Sequence, residues 1–338
     1  MTDTLLGSVL PDSRTSSPAV PHADQEAAAL TVIIVSYNTR ALTLKCLETL
    51  YANTHDTRFH AIVLDNASED GTPEAVARAF PQVELIESTE NLGFAQGNNV
   101  AATRATTDWL LLLNPDTEVH DGAIDALLKF SQAHPEAGIT GGRTVFPDGR
   151  LNIASCWMRI TPWSVFCLAT GLTAAFPRSA IFNTEAMGAW KRDSVRHVNI
   201  VSGCFLMIPR TLWAALGGFN LKYFMYGEEA DLCLRAGALG YRPMITPDAQ
   251  IMHLVGAATA RLADKTVMVN RARVTLIRDH WPAWQVPAGI AMMWLWGASR
   301  RVASAAVAAA VPGYRPKARK WAEVWAKRDV WLKGYPDA

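Results

Sequence analysis

Apolar and polar positions follow two rhythms along this chain. Between about Thr31 and Leu113, short β-branched or leucine-rich runs alternate with stretches of helical spacing, the pattern of a mostly parallel sheet covered by helices. Strands are expected at residues 31–36, 60–65, 83–87 and 109–113. Each ends in polar residues: Ser36-Tyr37-Asn38, Asp65-Asn66, Glu90-Asn91 and Asn114-Pro115-Asp116. In an open α/β sheet the ligand crevice lies beyond the carboxyl ends of the strands, so these clusters point to one shared site. Thr72-Pro73-Glu74 supplies an N-cap, a proline at the first helical position and an acid in the first turn, so a helix should start there.

The second rhythm begins after a stretch over residues 151–198 that is aromatic-rich and without clear period. A buried strand is expected over residues 199–208, containing Ser202-Gly203, followed by a loop at Gly217-Gly218. A helix over residues 228–239 should be closed by Gly240. Short strands are expected at 242–246 and 250–254, and a basic helix at 265–280. The apolar run over residues 287–311 is interrupted by Arg300-Arg301 and falls short of the roughly 20 residues needed to cross a bilayer. Two readings stay open for it: an interfacial segment with tryptophan anchors and basic flanks, in peripheral contact with an anionic membrane, or a helix packed on the catalytic domain.

Composition narrows the function classes. The chain has 338 residues, half of them hydrophobic, enough for one large α/β domain with additional elements. Lys and Arg total 32 against 31 Asp and Glu, so no global basic field exists to collect nucleic acid. The five cysteines are scattered and never spaced as CxxC, which argues for a reducing cytosol and against a disulfide framework or zinc site. Residues 1–29 lack the basic start and apolar block of a signal peptide and are expected to be a disordered leader. The expected location is therefore cytoplasmic, with a peripheral position on the inner face of the inner membrane if the interfacial reading holds.

A diphosphate-linked sugar donor asks three things of a protein: a floor for the nucleotide, a divalent cation for the leaving diphosphate and a base for the attacking hydroxyl. For the floor, Asp65 and Asn66 stand beside Ser36, Tyr37 and Asn38. The segment from Asn91 to Asn99 adds Gly93 and Gly97 for close backbone approach, and Asn98 and Asn99 add donors and acceptors at a helix start. Each of these alone also fits an ordinary turn. For the cation, Asn114-Pro115-Asp116 follows a buried run and delivers a hard oxygen ligand suited to Mg²⁺ or Mn²⁺. His253 is a second candidate ligand, although a lone histidine in an apolar run is more often a core residue. For the base, Glu228, Glu229 and Asp231 crowd the start of a helix; successive residues differ by about 100° around the axis, so at most one or two face the crevice. Gly203 and Arg235 complete the expected substrate-facing set.

The ordered motifs Val35-Ser-Tyr-Asn-Thr39, Leu64-Asp-Asn-Ala-Ser-Glu-Asp-Gly-Thr72, Glu90-Asn-Leu-Gly-Phe-Ala-Gln-Gly-Asn-Asn99, Leu112-Leu-Asn-Pro-Asp-Thr117 and Gly227-Glu-Glu-Ala-Asp-Leu-Cys-Leu-Arg235 resemble family 2 glycosyltransferases, in the bacterial rhamnosyltransferase-like subgroup. The resemblance runs from about Thr31 to His280. It implies a GT-A fold, an α/β architecture with a mostly parallel sheet flanked by helices, here extended by a helical C-terminal region. It divides the chain into a catalytic domain over residues 30–262, with a nucleotide-binding half to about 118 and an acceptor half from 119, and a helical region over 263–338. It further implies inversion at the anomeric carbon and a divalent metal held by Asp116, with His253 beside it. Asp65 would hold the nucleotide base, and Glu229 takes the place where members usually carry the base aspartate. The subgroup favours dTDP-rhamnose as donor and a polysaccharide or lipid-linked glycan as acceptor, with a UDP-hexose donor as the alternative. A dinucleotide-binding dehydrogenase is excluded because no glycine follows the first strand, and a nucleotidylyltransferase lacks its Gly-rich phosphate loop here. A carbohydrate-binding protein without catalysis on the same fold remains the rival from another class.

Overall fold

The computed structural model describes residues 28–254 and 262–336; the expected leader lies, but for its last two residues, outside the described residues. The N-terminal half runs β1 (Leu30–Ser36), α1 (Arg40–Ala52), β2 (Phe59–Asp65), α2 (Thr72–Ala79), β3 (Glu84–Glu87), α3 (Gly93–Ala102), β4 (Trp109–Leu113), β5 (Thr117–Val119) and α4 (Ala123–Ala133). The middle of the chain gives β6 (Thr140–Val145), β7 (Leu151–Asn152), β8 (Cys156–Trp157), α5 (Pro162–Thr170), α6 (Leu172–Ala175), β9 (Arg196–His197), β10 (Ile200–Val201), β11 (Phe205–Pro209) and α7 (Arg210–Leu216). The remainder is α8 (Glu228–Ala238), β12 (Met244–His253), α9 (Leu262–His280), α10 (Val286–Ala310), α11 (Arg315–Ala326) and α12 (Arg328–Trp331).

The main sheet has the order β3-β2-β1-β4-β11-β6-β12-β5. β1 to β4 are mutually parallel, β11 is antiparallel to both β4 and β6, and β12 runs parallel to β6. Strand order reverses between β1 and β4, the switch point at which an α/β sheet opens a crevice. Both faces are covered, as the apolar strands require: Ile33, Ile62, Leu64, Leu110 and Leu112 pack on one side, and Val32, Ile34, Val63 and Leu111 on the other. The register brings Ser36 level with Asp65, and it sets the end of β4 opposite the start of β11. One sheet edge therefore gathers residues 36, 65, 114, 204 and 253.

Several boundaries differ from the sequence reading for physical reasons. The expected strand at 199–208 is two strands, β10 and β11, broken by a turn in which the amide of Phe205 donates to the carbonyl of Ser202. The two strands expected at 242–246 and 250–254 are one, β12, with a register shift between Thr246 and Gln250. α2 is capped by Gly71 at φ +76°, one residue before the expected Thr72 cap.

The C-terminal helices join a core of their own. Val165 of α5 packs with Val274 and Ile277 of α9, Met293 of α10, Val324 of α11 and the fully buried Trp331. The opposite side of α9 sends Ala272 and Leu276 into a cluster with Tyr223, Ala230 and Tyr335, beside α8. α10 is packed on one face and open on the other. No helix among the described residues is long and apolar enough to cross a membrane.

Candidate active site

At the nucleotide end, most of the expected polar groups hold the scaffold. The Ser36 hydroxyl is buried 2.9 Å from both Thr39 Oγ1 and Thr43 Oγ1, turned into α1. Asn66 donates to Asn91 Oδ1 at 3.0 Å and the Gly93 carbonyl at 3.1 Å, and its oxygen accepts the Leu92 amide at 2.7 Å. It thereby fixes the turn into α3. Gly93 sits at φ +76°, and a Cβ there would come within 2.8 Å of the Phe224 carbonyl, so this turn also meets the loop before α8. Asn98 donates to the Phe94 carbonyl one turn earlier. Asn38, at φ +51°, ties its loop to the next: its amide donates to Ser68 Oγ and its side-chain oxygen accepts the Glu69 amide, both at 2.8 Å. Tyr37 stands exposed.

Asp65 differs from these. It is 2% exposed, and its Oδ2 accepts the Ser68 amide at 2.8 Å, while Oδ1 is buried with no hydrogen-bond partner among the described residues. A buried carboxylate oxygen left unpaired is costly. A donor from a ribose hydroxyl or a base N–H would satisfy it.

The end of β4 is locked in place. The Asn114 amide donates to the Cys204 carbonyl at 3.1 Å, and the Asn114 carbonyl accepts the Thr117 hydroxyl at 2.7 Å. The Asp116 carbonyl accepts the Leu254 amide, so this turn and the end of β12 are held together. Their side chains meet as well: Asp116 Oδ1 lies 3.3 Å from His253 Nε2, both side chains about nine-tenths buried. Burial alone would lower the His253 pKa, but neighbouring Cys204 and Asp116 outweigh it and hold the imidazole up at about 10. With the imidazole deprotonated, the pair could take a cation in place of the proton it shares. Two neighbouring ligands of one octahedral Mg²⁺ or Mn²⁺, each about 2.1 Å from the metal, stand about 3.0 Å apart. Asn114 Oδ1, two residues before Asp116, is also buried without a partner among the described residues. Among the described residues no cluster of three or more His, Cys, Asp or Glu forms a cation cage, so a metal here would keep positions for diphosphate oxygens and water.

At the base end, Tyr226 at φ +68° and Gly227 at φ +94° form a left-handed turn into α8. Glycine suits position 227, because φ +94° strains an L side chain and a Cβ would lie a tight 3.0 Å from Ala272 and the Tyr223 ring. The three acids then part ways. Asp231 is pinned by Arg235 Nε at 2.7 Å and His280 Nε2 at 3.0 Å. Burial would raise its pKa, yet His280 and Arg235 hold it below the usual carboxylate range. Arg235 in turn grips the Leu216 and Gly218 carbonyls at 2.5 and 2.8 Å, so both residues serve as scaffold. Glu228 is buried, and its pKa is raised well above the usual carboxylate range by burial and by the charge of Glu229. Glu229 is half-buried with an unpartnered Oε2, and its pKa is raised by burial against the restraining backbone amides of the helix start. Gly203 packs between Glu229 and Phe94: a Cβ there would lie 3.7 Å from Glu229 Cβ and 3.2 Å from the Phe94 ring. Through Gly203 and Cys204 the Glu229 end connects to Asn114 and the Asp116–His253 pair.

A family model described as glycosyl transferase family 2 matches residues 31–198. The chain belongs to family 2 of the glycosyltransferases. An N-acetylglucosaminyl-diphospho-decaprenol L-rhamnosyltransferase of Mycobacterium tuberculosis is 29% identical over 59% of this chain and 68% of its own length. Rhamnosyltransferase WbbL of Escherichia coli K12 is 26% identical over 66% of this chain and 82% of its own length. Among solved structures, the mannosyltransferase PcManGT of Pyrobaculum calidifontis, in complex with GDP-Man and Mn²⁺, superposes with a TM-score of 0.56 at 21% identity, covering 90% of this chain and 88% of that one. That superposition gives the GT-A fold. Other residues of this glycosyltransferase have roles the sequence did not show, including Asn99, which was expected beside Asn98 at the nucleotide. Asn99 bonds both ways to Phe219, at 2.8 Å each, clamping α3 to the loop before α8. The Tyr335 hydroxyl donates to the Met225 carbonyl at 2.7 Å, its amide to Thr275 Oγ1 at 2.8 Å, and Arg271 lies over its ring. Lys222 and Tyr223 both reach Asp279, at 2.8 and 3.1 Å. Asn99 carried a local signal in its doublet with Asn98; His280, Asp279 and Tyr335 carried none, because their roles exist only across the packed helices.

Proposed function

We propose that this glycosyltransferase moves a rhamnosyl group from dTDP-rhamnose to a hydroxyl of a polysaccharide or lipid-linked glycan, inverting the anomeric carbon with the help of Mg²⁺ or Mn²⁺. The observation that carries this reading is the acid–imidazole pair of Asp116 and His253 at the strand ends, linked through Cys204 and Gly203 to Glu229, whose Oε2 has no partner among the described residues. Asp65 supports it by offering a buried, unpaired acceptor to the nucleotide. The rhamnosyltransferases among its relatives support the choice of sugar and of a diphosphate-lipid acceptor.

In this reading Asp65 orients the nucleotide, and Asp116 and His253 hold the cation, which when bound neutralises the diphosphate leaving group. Glu229 accepts the proton of the attacking hydroxyl: its Cβ stands beside Gly203, on the path to the Asp116–His253 pair, and its Oε2 has no partner among the described residues. Its raised pKa suits a base that must bind a proton during transfer. Incubation with dTDP-rhamnose, Mn²⁺ and a polyprenyl-diphosphate-linked N-acetylglucosamine should yield a product heavier by one rhamnose, with inverted anomeric configuration by NMR. Turnover of a UDP-hexose with none of dTDP-rhamnose would replace the donor assignment, and retention of configuration would remove the single-displacement mechanism.

A further inference from the structure

α10 is 25 residues long and carries only two charged side chains, Arg300 and Arg301. Gly289, Met293, Gly297 and Ser304 are its buried positions, packed toward α5, α9 and α11. At about 100° per residue, Ala291, Trp294, Leu295, Ala298, Val302 and Ala309 fall in one arc about 100° wide on the opposite side. That arc contains no polar group. Within it Trp294 is 46%, Leu295 47% and Val302 68% exposed. An apolar face of this length, left open by the rest of the fold, marks an interaction surface.

Charge identifies what covers it. Residues 286–333 hold nine Lys and Arg against two Asp and Glu, a net of +7 in a chain whose total is +1. α11, antiparallel to α10 in the same hairpin, presents Arg315, Lys317 and Arg319 to solvent, and none of the three has a carboxylate partner among the described residues. An unbroken apolar stripe beside a concentrated positive field complements a lipid surface bearing negative headgroups. A second copy of this chain would bring the same +7 against itself. Tryptophan at the edge of the stripe, with Trp294 packed edge-on to Trp325 at 5.5 Å, is the residue suited to the headgroup boundary.

We propose that the outward face of α10 lies in the surface of an anionic bilayer, with α11 supplying the electrostatic half of the contact. The hairpin is rooted in the core around Trp331 and Met293, which also contains α9, the helix that braces the catalytic turn. Membrane contact would therefore hold the catalytic crevice at a fixed height above the lipid. This inference stands on α10 and α11 and does not depend on the identity of the sugar.

Flotation of the full chain with vesicles tests it. The wild type is expected to float with phosphatidylcholine vesicles containing phosphatidylglycerol, to stay behind with phosphatidylcholine alone, and to be released by high salt. Leu295→Glu combined with Val302→Glu places charges in the exposed stripe and should lower partition about tenfold or more; Lys317→Glu with Arg319→Glu should do the same. Both pairs are exposed, so wild-type thermal melting is expected of each, and if the apolar pair melts early the basic pair decides. Wild type that fails to float with anionic vesicles, or variants of normal stability that float undiminished, would overturn the proposal. A dimer in gel filtration that Leu295→Glu/Val302→Glu splits would overturn it too, by assigning the face to a second copy.

Discussion

At one end of the crevice, Asp116 and His253 stand 3.3 Å apart on segments whose main chains are bonded into the sheet, and acid meets imidazole. At the other end, Glu228 and Glu229 are neighbouring carboxylates with raised pKa values, each with a buried oxygen that has no partner among the described residues. At the first end the opposite charges attract and the main chain is fixed by the sheet. The second is held against mutual repulsion by the helix start, by the Asp231–Arg235–His280 network and by the clasp of Tyr335 on Met225. The contrast teaches that the sheet holds the acid–imidazole pair, while the helical C-terminal region braces the turn that carries the two glutamates.

The largest expected effect breaks the first end. Asp116→Ala should lower turnover by about a thousandfold or more while the melting temperature stays close to wild type, because a metal-bound leaving group contributes several kcal/mol. EDTA should reproduce the loss in the wild type. Full activity in either case would detach the Asp116–His253 pair from the reaction.

Tyr335→Phe tests the brace with a smaller change. It removes one hydrogen bond, worth about 0.5–1.5 kcal/mol, from the turn that precedes the glutamates. The expected result is a kcat several-fold lower with unchanged donor affinity. A lower melting temperature with unaltered kcat would make Tyr335 a purely structural residue.

The smallest effect concerns stability and pH. Folding raises the Glu228 pKa, so the folded state binds that proton more tightly than the unfolded chain. Stability from this group is then greatest below the unfolded value of about 4.3 and falls as pH rises from there through the raised folded value. Glu228→Gln should therefore melt about 1–3 °C higher than wild type near neutral pH, with the gap closing toward about pH 4. A variant that melts lower at neutral pH would show that the Glu228 charge is favourably held.

The residues that local pattern could reveal were those on the parallel strands. β1, β2 and β4 are apolar runs ending in polar clusters, and Asp65, Asp116 and the acids of α8 stand out by type and position. β6 did not stand out, because its Thr-Gly-Gly-Arg-Thr-Val sequence reads as a loop. Its glycines answer to crowding instead: a Cβ at Gly142 would lie 2.1 Å from the Ala249 carbonyl of β12. Ser36, Asn66 and Asn98 were legible as polar groups at strand ends, but whether they face ligand or scaffold depends on Thr39, Asn91 and Phe94, which only folding brings to them. The apolar run after Pro287 was ambiguous between core and surface for a simple reason, since α10 has both faces apolar and uses one for each.

The central claim is that Glu229, and not its neighbour, is the base at the helix-borne end. Side-by-side measurement of kcat and donor Kd in Glu229→Gln tests it most directly, because the amide keeps the shape and loses only basicity. Here kcat should fall by about 10²–10⁴-fold with donor Kd nearly unchanged. Near wild-type kcat in Glu229→Gln, alongside a dead Glu228→Gln or Asp231→Asn, would contradict the account and move the base to that neighbour.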